Sequence, residues 1–504
     1  MTPPPNDVPC RPEDLGKPIP ATRHAVSVCL PTWADNLGYE QGDARVVGRM
    51  RCGYPRFFLH PDVQELFRTC EEKFAASGEC CFAFPSRRVA ERCVQFVRTH
   101  KGIDAHIHPV GETSAFCVRA DATARNEMRA YWQHTGQIVS SRVAERVLAK
   151  RPSSTDGVRE KAAIRERVAK LMNVDAADVW LFPSGMAAIE TAYRAFRRVR
   201  PEAKSVQFGF PYVDSLKVQE RCGVGVHFFP RGDAAELAQL GQIAAAESLL
   251  GLFCEFPGNP LLASADLRAI DALARQHDFP VLVDDTLGAL VNVNVLPVAD
   301  VVTCSLTKFF SGAGDVVAGS LVLNPRRPGA GRLRETLAAE YEDLLDPEDA
   351  AVLERNSRDC AERVRRINQT AERLCDALRS HSLVERIDYP KYRDCENYRA
   401  FLRPSGGYGG LFSILLKNAE RTAPRFFDAL RIAKGPNLGT NFSLCCPYTI
   451  LAHYNELEFV ERCGISRYLV RVSVGLEEAD WLIGRFLEAL ERASQELGAE
   501  EPAG

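Results

Sequence analysis

The sequence predicts an α/β protein built around a mostly parallel sheet with helices on both faces. Short apolar runs of strand length, bounded by Gly, Pro or Asp, recur through the 504-residue chain, and helical patterns lie between some of them. Strands that alternate with helices favour parallel pairing, because a crossover helix returns the chain to the same edge of the sheet. With 46% hydrophobic and 26% charged residues, the chain can bury sizeable cores.

The predicted strands begin with "DVWLFPSG", which runs through a turn into the predicted helix "MAAIETAYRAFRRV". Further along, a helix is predicted at "SADLRAIDALARQH", a charged helical region over roughly 330–380, and a final α/β segment with strands at "YGGLFSILLK" and "LVRVSVGLE". The remaining predicted strands are, in chain order, "SVQFGFP", "GVHFFP", "LGLFCEFPG", "FPVLVDDT", "DVVTCSLT" and "AGSLVLN".

These patterns divide the chain into four parts. Residues 1–22 are rich in proline and are predicted to be a disordered tail. Residues 23–115 have mixed α/β patterning and are predicted to form an N-terminal extension. Residues 116–367 are predicted to form the large domain, and residues 368–504 a smaller C-terminal α/β domain.

One short pattern occurs twice. "CCFAFPSRRVAERCVQFVR" and "DVWLFPSGMAAIETAYRAFR" both read as a strand, the tripeptide Phe-Pro-Ser and a helix. The first copy carries Arg87 where the second carries Gly185, and only glycine lets a backbone approach an anion closely. An anion site is therefore predicted at the second turn and not at the first.

Charge and cysteine content exclude several classes of function. Lys plus Arg number 63 and Asp plus Glu 66, so the sequence offers no electrostatic case for binding nucleic acid or an anionic membrane. The 17 cysteines and the absence of a secretory pattern in "MTPPPNDVPCRPEDLG" indicate reduced thiols and a cytoplasmic protein. The cysteine spacings do not build a zinc site, so no metal is predicted, and no apolar run is long enough to span a bilayer.

Three predicted strands end in residues suited to chemistry. "FPSG" places Gly185 at a helix N-terminus, where backbone N–H groups can bind phosphate. "VLVDDT" ends in Asp284 and Asp285, and "SLTK" ends in Lys308. Each feature has an ordinary interpretation when taken alone: a helix cap, a turn and a solvated lysine.

The order of these features favours a common site. Ligands of open α/β sheets bind at the carboxyl ends of strands, where all three features fall. Pyridoxal phosphate needs a lysine to hold it, an acid that faces its pyridine nitrogen and donors for its phosphate. The sequence therefore predicts pyridoxal 5'-phosphate as cofactor.

The chain resembles the cystathionine γ-synthase branch of the transsulfuration enzymes, in its extended fungal form. The resemblance covers about residues 130–490, and upstream segments such as "RCGYPRFFLHP" and "YWQHTGQIVSSRVAERVL" resemble the fungal form in particular. It implies a fold-type I pyridoxal-phosphate transferase with a large domain, a smaller C-terminal domain and an extra N-terminal region. The matching segments are "LFPSGMAAIETAYRAF", "GFPYVDSLKV", "CEFPGNPLL", "VLVDDTLGALVNVNVL", "SLTKFFSGAGDVVAGSLVLNP" and "LVRVSVGLEEADWL".

The resemblance implies a role for each matching residue. Lys308 would hold the cofactor and shuttle protons, Asp284 would pair with the pyridine nitrogen, and Tyr212 would stack on the ring. Arg471 would grip the substrate carboxylate with its planar fork, helped by Asn259. The residues implied to bind the phosphate are Gly185, Met186, Ser305 and Thr307.

Two positions depart from the family pattern. Family members supply a Tyr-x-Arg pair from a neighbouring subunit to the phosphate, and the aligned residues here are Ser140–Ser141–Arg142. Arg142 is kept and the tyrosine is not, while a Tyr54–Pro55–Arg56 triplet upstream is a candidate replacement. The Ser-Leu-Gly that lies near the substrate carboxylate in the family reads Asn437–Leu438–Gly439 here.

The resemblance implies γ-replacement on an activated homoserine ester, with O-acetylhomoserine as the first candidate ester and cysteine as the nucleophile that gives cystathionine. The alternative is a related enzyme that adds sulfide or a carbon nucleophile, or that eliminates as a lyase. A non-catalytic regulatory relative is a third hypothesis, against which Lys308, Asp284 and Arg471 all argue. An Arg142 that reaches a neighbour's phosphate would require a homodimer or homotetramer with shared active sites.

Overall fold

The computed structural model describes residues 8–153 and 156–499. Within these ranges short 3₁₀ helices cover Pro12–Asp14, Ala122–Ala124, Ala176–Asp178, Leu296–Val298 and Tyr454–Glu456. The strands are β1 (Pro18–Ile19), β2 (Ser27–Val28), β3 (Glu79–Phe84), β4 (Ala105–Pro109), β5 (Phe116–Asp121), β6 (Val179–Phe182), β7 (Ser205–Phe208), β8 (Val226–Phe229), β9 (Leu252–Glu255), β10 (Val281–Asp284), β11 (Val301–Cys304), β12 (Gly319–Leu323), β13 (Val384–Asp388), β14 (Leu411–Leu416), β15 (Ala433–Lys434), β16 (Leu444–Pro447) and β17 (Val470–Ser473). The α-helices are α1 (Trp33–Glu40), α2 (Ala44–Val47), α3 (Pro61–Phe74), α4 (Arg87–Lys101), α5 (Arg125–Thr135), α6 (Ser141–Leu148), α7 (Val158–Met172), α8 (Gly185–Val199), α9 (Val213–Arg221), α10 (Ala234–Ala246), α11 (Leu267–His277), α12 (Ala330–Glu340), α13 (Pro347–Asn356), α14 (Cys360–Leu378), α15 (Cys395–Arg399), α16 (Ala419–Ala429), α17 (Tyr448–His453), α18 (Leu457–Arg462) and α19 (Ala479–Ala499).

The central sheet has seven strands in the order β6-β12-β11-β10-β9-β7-β8. All neighbouring strands are parallel except β12, which is antiparallel to both β6 and β11. β12 follows β11 through a loop without a crossover helix, so it returns in the opposite direction. The predicted mostly parallel α/β fold is confirmed, and each strand predicted for this sheet is present.

Helices cover both faces of this sheet, as the apolar strand sequences require. On one face α8 packs its alanines and Phe196 against the strand residues Phe253, Leu282 and Leu321. On the other face α7, α10 and α11 cover Val283 and its neighbours. Alternate residues of each strand therefore pack into two different cores. The helices cover the faces of the sheet and not its carboxyl edge, where a ligand can bind.

The N-terminal extension has a sheet of its own in the order β3-β5-β4, with α3, α4 and α5 packed into the same core. Because β5 is the central strand of this sheet, the predicted boundary between residues 115 and 116 is wrong: it separates β5 from the strands that pair with it. The core of this unit continues through α6, to residue 148.

The predicted disordered tail is also corrected where the structure describes it. Residues 1–7 of that tail lie outside the described residues, whereas β1 at Pro18–Ile19 pairs antiparallel with β2. Two cores hold this region in place: Leu15 and Val28 belong to one, and Ile19 packs with Phe442 and Leu444 of the C-terminal domain in the other.

The C-terminal domain is a five-stranded sheet in the order β13-β14-β17-β16-β15. The charged region predicted over 330–380 consists of three helices, α12, α13 and α14. The predicted boundary after residue 367 falls inside α14, whose early residue Cys360 packs in the core of the large domain and whose later residues pack against β14 and α19. In the ranges 8–153 and 156–499, no helix has the length and apolar content needed to cross a membrane.

Residues 26–57 lie across the C-terminal domain and reach the carboxyl edge of the large sheet. The backbone N–H of Leu30 donates to the Lys434 carbonyl, and Lys434 Nζ donates back to the Pro31 carbonyl at 2.9 Å. The backbone N–H of Trp33 donates to Asp428 Oδ1 at 2.7 Å. These contacts fix the segment, which contains β2, α1 and α2, beside the strand ends.

Candidate active site

One cavity lies where the carboxyl ends of β9, β10 and β11, the start of α8, the C-terminal domain and residues 28–57 meet. Residues from each of these parts of the chain line it, and the carboxyl ends of strands are where open α/β sheets bind ligands. Thr307 and Arg142 are not among the residues that line it. The other predicted site residues do line it: Gly185, Met186, Tyr212, Asn259, Asp284, Ser305, Lys308, Asn437 and Arg471.

Lys308 follows β11 and is 9% exposed. Its Nζ donates to Asn437 Oδ1 at 2.5 Å and lies 4.1 Å from the ring centroid of Tyr54. Burial lowers the pKa of Lys308, because the charged form loses its hydration, and the nearby Arg471 and Arg56 lower this pKa as well. A buried amine of lowered pKa that faces a cavity is suited to bind a carbonyl carbon and to accept protons.

The loop at Asn437–Leu438–Gly439 holds Lys308 from the side of the C-terminal domain. Gly439 has φ +73°, and a Cβ at this position would lie 2.5 Å from the backbone nitrogen of Phe309. Only glycine fits so close to the lysine. Asn437 has φ +121° and accepts from Lys308 through Oδ1, while its Nδ2 has no hydrogen-bond partner among the described residues. That buried donor is available to a ligand.

Arg471 lies in β17 and is 8% exposed. Its Nη1 donates to Asn259 Oδ1 at 3.0 Å, and its Nη2 donates to the Asn437 carbonyl at 3.2 Å. The guanidinium carbon lies 4.7 Å from the centroid of the Tyr448 ring, and the Tyr448 hydroxyl accepts from Asn259 Nδ2 at 3.0 Å. These contacts hold the arginine beside the cavity, and none of them is with a carboxylate. Its positive charge is therefore suited to bind an anion.

Asp284 and Glu255 stand side by side at the ends of β10 and β9, where they are paired in register. Asp284 Oδ1 accepts from the Thr286 backbone N–H at 3.0 Å and from its hydroxyl at 2.6 Å. Burial raises the pKa of Asp284, and burial together with the Asp284 charge raises the pKa of Glu255. The pair therefore favours a cationic group in the cavity, which would stabilise both carboxylates in their charged forms.

Glu255 also connects two loops of the site. Its Oε1 accepts from the Tyr212 backbone N–H at 2.5 Å, and its Oε2 accepts from the Asn259 backbone N–H at 2.9 Å. One carboxylate thus positions the predicted ring-stacking residue and the predicted carboxylate-binding residue. Sequence reasoning missed Glu255, although its position at the end of the strand "LFCE" is the same signal that identified Asp284.

Tyr212 is held from the N-terminal extension. Arg56 is 2% exposed; its Nη2 donates to the Tyr212 hydroxyl at 2.5 Å, and its Nη1 forms a buried ion pair with Asp214. His134 Nδ1 lies 2.7 Å from the second oxygen of Asp214. Asp214 and His134 were not predicted, since an acidic residue in the first turn of a helix is ordinary in sequence.

The phosphate corner predicted from the sequence is partly assembled. Gly185 and Met186 begin α8, and a Cβ on Gly185 would lie 2.8 Å from the Ser305 Cβ, so the two segments can approach only through glycine. The Thr307 hydroxyl instead donates to the Ala318 carbonyl at 3.2 Å and accepts from its N–H at 3.0 Å. A phosphate contact for Thr307 stays a prediction.

Arg142 lies away from this corner. Its Nη1 pairs with the buried Asp349 at 2.9 Å, and Asp349 belongs to α13 of the same chain. The expectation that Arg142 reaches the phosphate of a neighbouring subunit stays a prediction. The arginine of the N-terminal extension that does reach this cavity is Arg56.

The residues present fit pyridoxal phosphate. Lys308 is a buried amine, Asp284 and Glu255 favour a protonated ring nitrogen, and Asn437 Nδ2 is a donor without a partner among the described residues. The helix N-terminus at Gly185 supplies backbone donors for the phosphate. When bound, this cofactor withdraws electrons from the carbon atoms next to a substrate amino group.

The sequence matches the family described as Cys/Met metabolism PLP-dependent enzyme over residues 97–491. A cystathionine gamma-synthase from Neurospora crassa is 36% identical, over 96% of this chain and 99% of that protein. A cystathionine gamma-synthase-like enzyme, iboG2, from Amanita muscaria is 35% identical, over 96% of this chain and 97% of that protein. Both alignments include the N-terminal extension, most of which lies before the range of the family match.

A similar solved structure is a cystathionine gamma synthase from Xanthomonas oryzae pv. oryzae in complex with aminoacrylate and cysteine. It matches with a TM-score of 0.59 and 25% identity, over 67% of this chain and 87% of that chain. The predicted fold class and the predicted cofactor are confirmed by these likenesses.

Proposed function

This chain belongs to the Cys/Met metabolism PLP-dependent enzyme family, and we propose that it catalyses γ-replacement on O-acetylhomoserine with cysteine to give cystathionine. The observation that carries the proposal is the convergence of Lys308, Asp284 and Arg471 on one cavity, although they come from three different strand ends or strands. Family membership supports the cofactor chemistry, and the relatives named cystathionine gamma-synthase support the reaction.

In this proposal Arg471 and Asn259 bind the α-carboxylate of the ester substrate. The arginine fork supplies two parallel N–H donors, and Asn259 fixes its orientation. The bound carboxylate places the substrate Cα near Lys308, and the side chain of the ester extends toward the wall formed by residues 28–57. Desolvation of the site strengthens each of these charged contacts.

Lys308 moves the protons. Its Nζ is neutral more readily than that of an exposed lysine, because burial lowers its pKa, and the neutral amine can remove the Cα proton. The Asn437 amide oxygen keeps Nζ on the cavity side. A Cβ proton is then removed, the Cγ–O bond breaks and acetate leaves. The cysteine thiolate forms the new Cγ–S bond, and protons return to Cβ and Cα to complete the replacement.

The runner-up function is replacement by another nucleophile, or elimination. The similarity to a cystathionine gamma-synthase-like enzyme, iboG2, at nearly the same identity as to the synthase favours keeping this alternative. Both functions use Lys308, Asp284 and Arg471. Analysis of the reaction products can therefore distinguish them, whereas the identity of the site residues cannot. We also propose that Arg142 binds the cofactor phosphate of a neighbouring copy, in a homodimer or homotetramer with shared active sites. The 17 cysteines, taken as reduced thiols, support a cytoplasmic location.

The test combines a visible spectrum of the purified protein with product analysis. We expect the absorption of lysine-bound pyridoxal phosphate in the wild type, its loss in Lys308→Ala, and its change on addition of O-acetylhomoserine. Cysteine-dependent formation of cystathionine would then support the proposal. Sulfide-dependent product, or a keto acid formed without any nucleophile, would favour the runner-up. A wild-type protein that stays colourless with added cofactor would refute both.

A further inference from the structure

We propose that Tyr54, contributed by the N-terminal extension of the same chain, is the catalytic acid–base partner of Lys308, and that Arg56 positions it. This inference rests on the proposed function for its place in catalysis. It concerns residues that lie before the range matched by the family, in a segment to which the sequence assigns only a candidate tyrosine and arginine.

Tyr54 is fixed against the lysine. The Lys308 Nζ lies 4.1 Å from its ring centroid, and both residues line the cavity. The Tyr54 carbonyl accepts from the backbone N–H groups of Phe57 and Phe58, each at 2.9 Å, so the loop closes on itself. Arg129 Nη2 donates to the carbonyl of Phe57 at 2.7 Å and anchors this loop to α5.

Arg56 is a second positive charge near the phenol. Its guanidinium carbon lies 5.7 Å from the Tyr54 ring centroid, and the group is held in place by Asp214, the Tyr212 hydroxyl and the Gln133 carbonyl. Because Arg56 cannot lose its proton in a protein, it is a permanent positive charge beside Tyr54. Arg56 is 2% exposed and its ion-pair partner Asp214 is fully buried, so the position of this charge is preorganised.

Charged groups around the pair shift the pKa values of both of its members. Hydrogen bonds and charges from Lys308 and Arg56 lower the pKa of Tyr54, although burial opposes this effect. Burial, Arg471 and Arg56 lower the pKa of Lys308, and Tyr54 raises it. Both pKa values therefore lie below their ordinary values, so each group gives up a proton more readily than an exposed tyrosine or lysine does, and this favours proton exchange within so close a pair.

The exchange itself is balanced. One Nζ–H bond of the Lys308 ammonium breaks and an Oη–H bond forms on the Tyr54 phenolate, so the lysine becomes a neutral amine and the tyrosine a neutral phenol. No proton enters or leaves the site. Lys308 is then ready to bind a carbonyl carbon or to accept the Cα proton, and Tyr54 holds the proton that the reverse step requires.

The test is Tyr54→Phe, with Tyr131→Phe as matched control. Tyr131 is a buried tyrosine of the same extension whose hydroxyl has no hydrogen-bond partner among the described residues, and it lies outside the cavity wall. In the full-length chain before cofactor loading, formaldehyde with cyanoborohydride labels the neutral form of Lys308, and peptide mass spectrometry follows the label against pH.

We expect Tyr54→Phe to move the midpoint of Lys308 labelling to lower pH by about one unit, because the group that raises the lysine pKa is gone. In the loaded enzyme we expect kcat to fall by about 10²-fold with little change in KM. Tyr131→Phe should match the wild type in both measurements. A Tyr54→Phe labelling curve that overlies the wild-type curve would overturn the inference.

Two arrangements keep the test decisive. If Tyr54→Phe does not fold, 3-fluorotyrosine at position 54 preserves the shape of the side chain and lowers the pKa of the phenol. The role is supported if the acidic limb of the plot of kcat against pH moves to lower pH. It is refuted if that limb does not move. The labelling needs neither substrate nor cofactor. The wrong nucleophile in the proposed function would therefore leave the labelling result intact, and a failed labelling result would leave γ-replacement intact.

Discussion

The cavity has two walls that arise in different ways. The sheet wall consists of Gly185, Asp284, Lys308 and, from the C-terminal sheet, Arg471, and each of these residues has a place fixed by a strand or by a helix start. The extension wall consists of residues 28–57, in which Tyr54 and Arg56 lie in a loop without regular structure. Functional residues at strand ends can be predicted from the sequence, because the strand ends meet at one edge of the sheet. Functional residues in a loop can be predicted only when it is known where the loop packs.

The largest effect should come from the extension wall. Arg56→Ala leaves the buried Asp214 without its arginine and with only His134 and the Gln133 amide as neighbours, and breaking such a pair lowers the free energy of unfolding by about 3–5 kcal/mol. Denaturant unfolding of the full chain measures this change. Arg68→Ala, which breaks exposed ion pairs of the same extension, should have no measurable effect. Equal stability of the two variants would show that the extension wall is only a cover.

A smaller effect is expected from the sheet wall with Arg471→Lys. The substitution keeps the positive charge but removes the fork that contacts both Asn259 and the Asn437 carbonyl. We expect kcat/KM for the amino-acid ester to fall by about 10²-fold, mostly through KM, while the visible spectrum of the bound cofactor is kept. An unchanged KM would mean that the substrate carboxylate is bound elsewhere, for instance at the extension wall.

Gly185→Ala tests the close contact between the start of α8 and Ser305. The added Cβ would lie 2.8 Å from the Ser305 Cβ, so one of the two segments must move. Such overpacking costs about 1–3 kcal/mol, and we expect the Kd for pyridoxal phosphate to rise about tenfold. Fluorescence titration measures the Kd. Arg87→Ala, at the corresponding turn of the extension, is the control and should bind the cofactor like the wild type.

The smallest effect concerns the pH dependence of cofactor binding. The folded-state pKa of Asp284 is raised, so its carboxylate is lost at a higher pH than that of an ordinary aspartate, and affinity for a protonated ring should fall as pH is lowered. Thr286→Val removes a hydroxyl that lowers this pKa. The midpoint of the loss should therefore move to higher pH by less than about one unit.

The matched control for this shift is Thr303→Val. Its buried hydroxyl, in the neighbouring strand β11, has no hydrogen-bond partner among the described residues. Its cofactor affinity should follow the wild-type curve at every pH. If both threonine variants shift the curve equally, the effect belongs to packing of the strands and not to Asp284.

The two Phe-Pro-Ser turns show where sequence reasoning stops. In both, the serine caps a helix: Ser86 accepts from the Val89 N–H and Ser184 from the Ala187 N–H. The predicted strand, turn and helix are present twice. Only the second turn opens into the cavity, because β6 belongs to the seven-stranded sheet whose carboxyl ends border it, while β3 belongs to the separate sheet of the extension.

By itself the sequence determined the elements and most of the sheet wall. Apolar periodicity identifies strands and helices because burial acts on each residue locally, and Gly185, Asp284 and Lys308 follow strands whose ends must converge. Three features were decided only by the tertiary structure. They are the domain boundary beyond β5, the hydrogen bonds by which Glu255 holds the Tyr212 and Asn259 loops, and the approach of Tyr54 and Arg56 to the site. Each depends on contacts between residues far apart in the chain, such as Arg56 with Asp214, and no local pattern encodes such a contact.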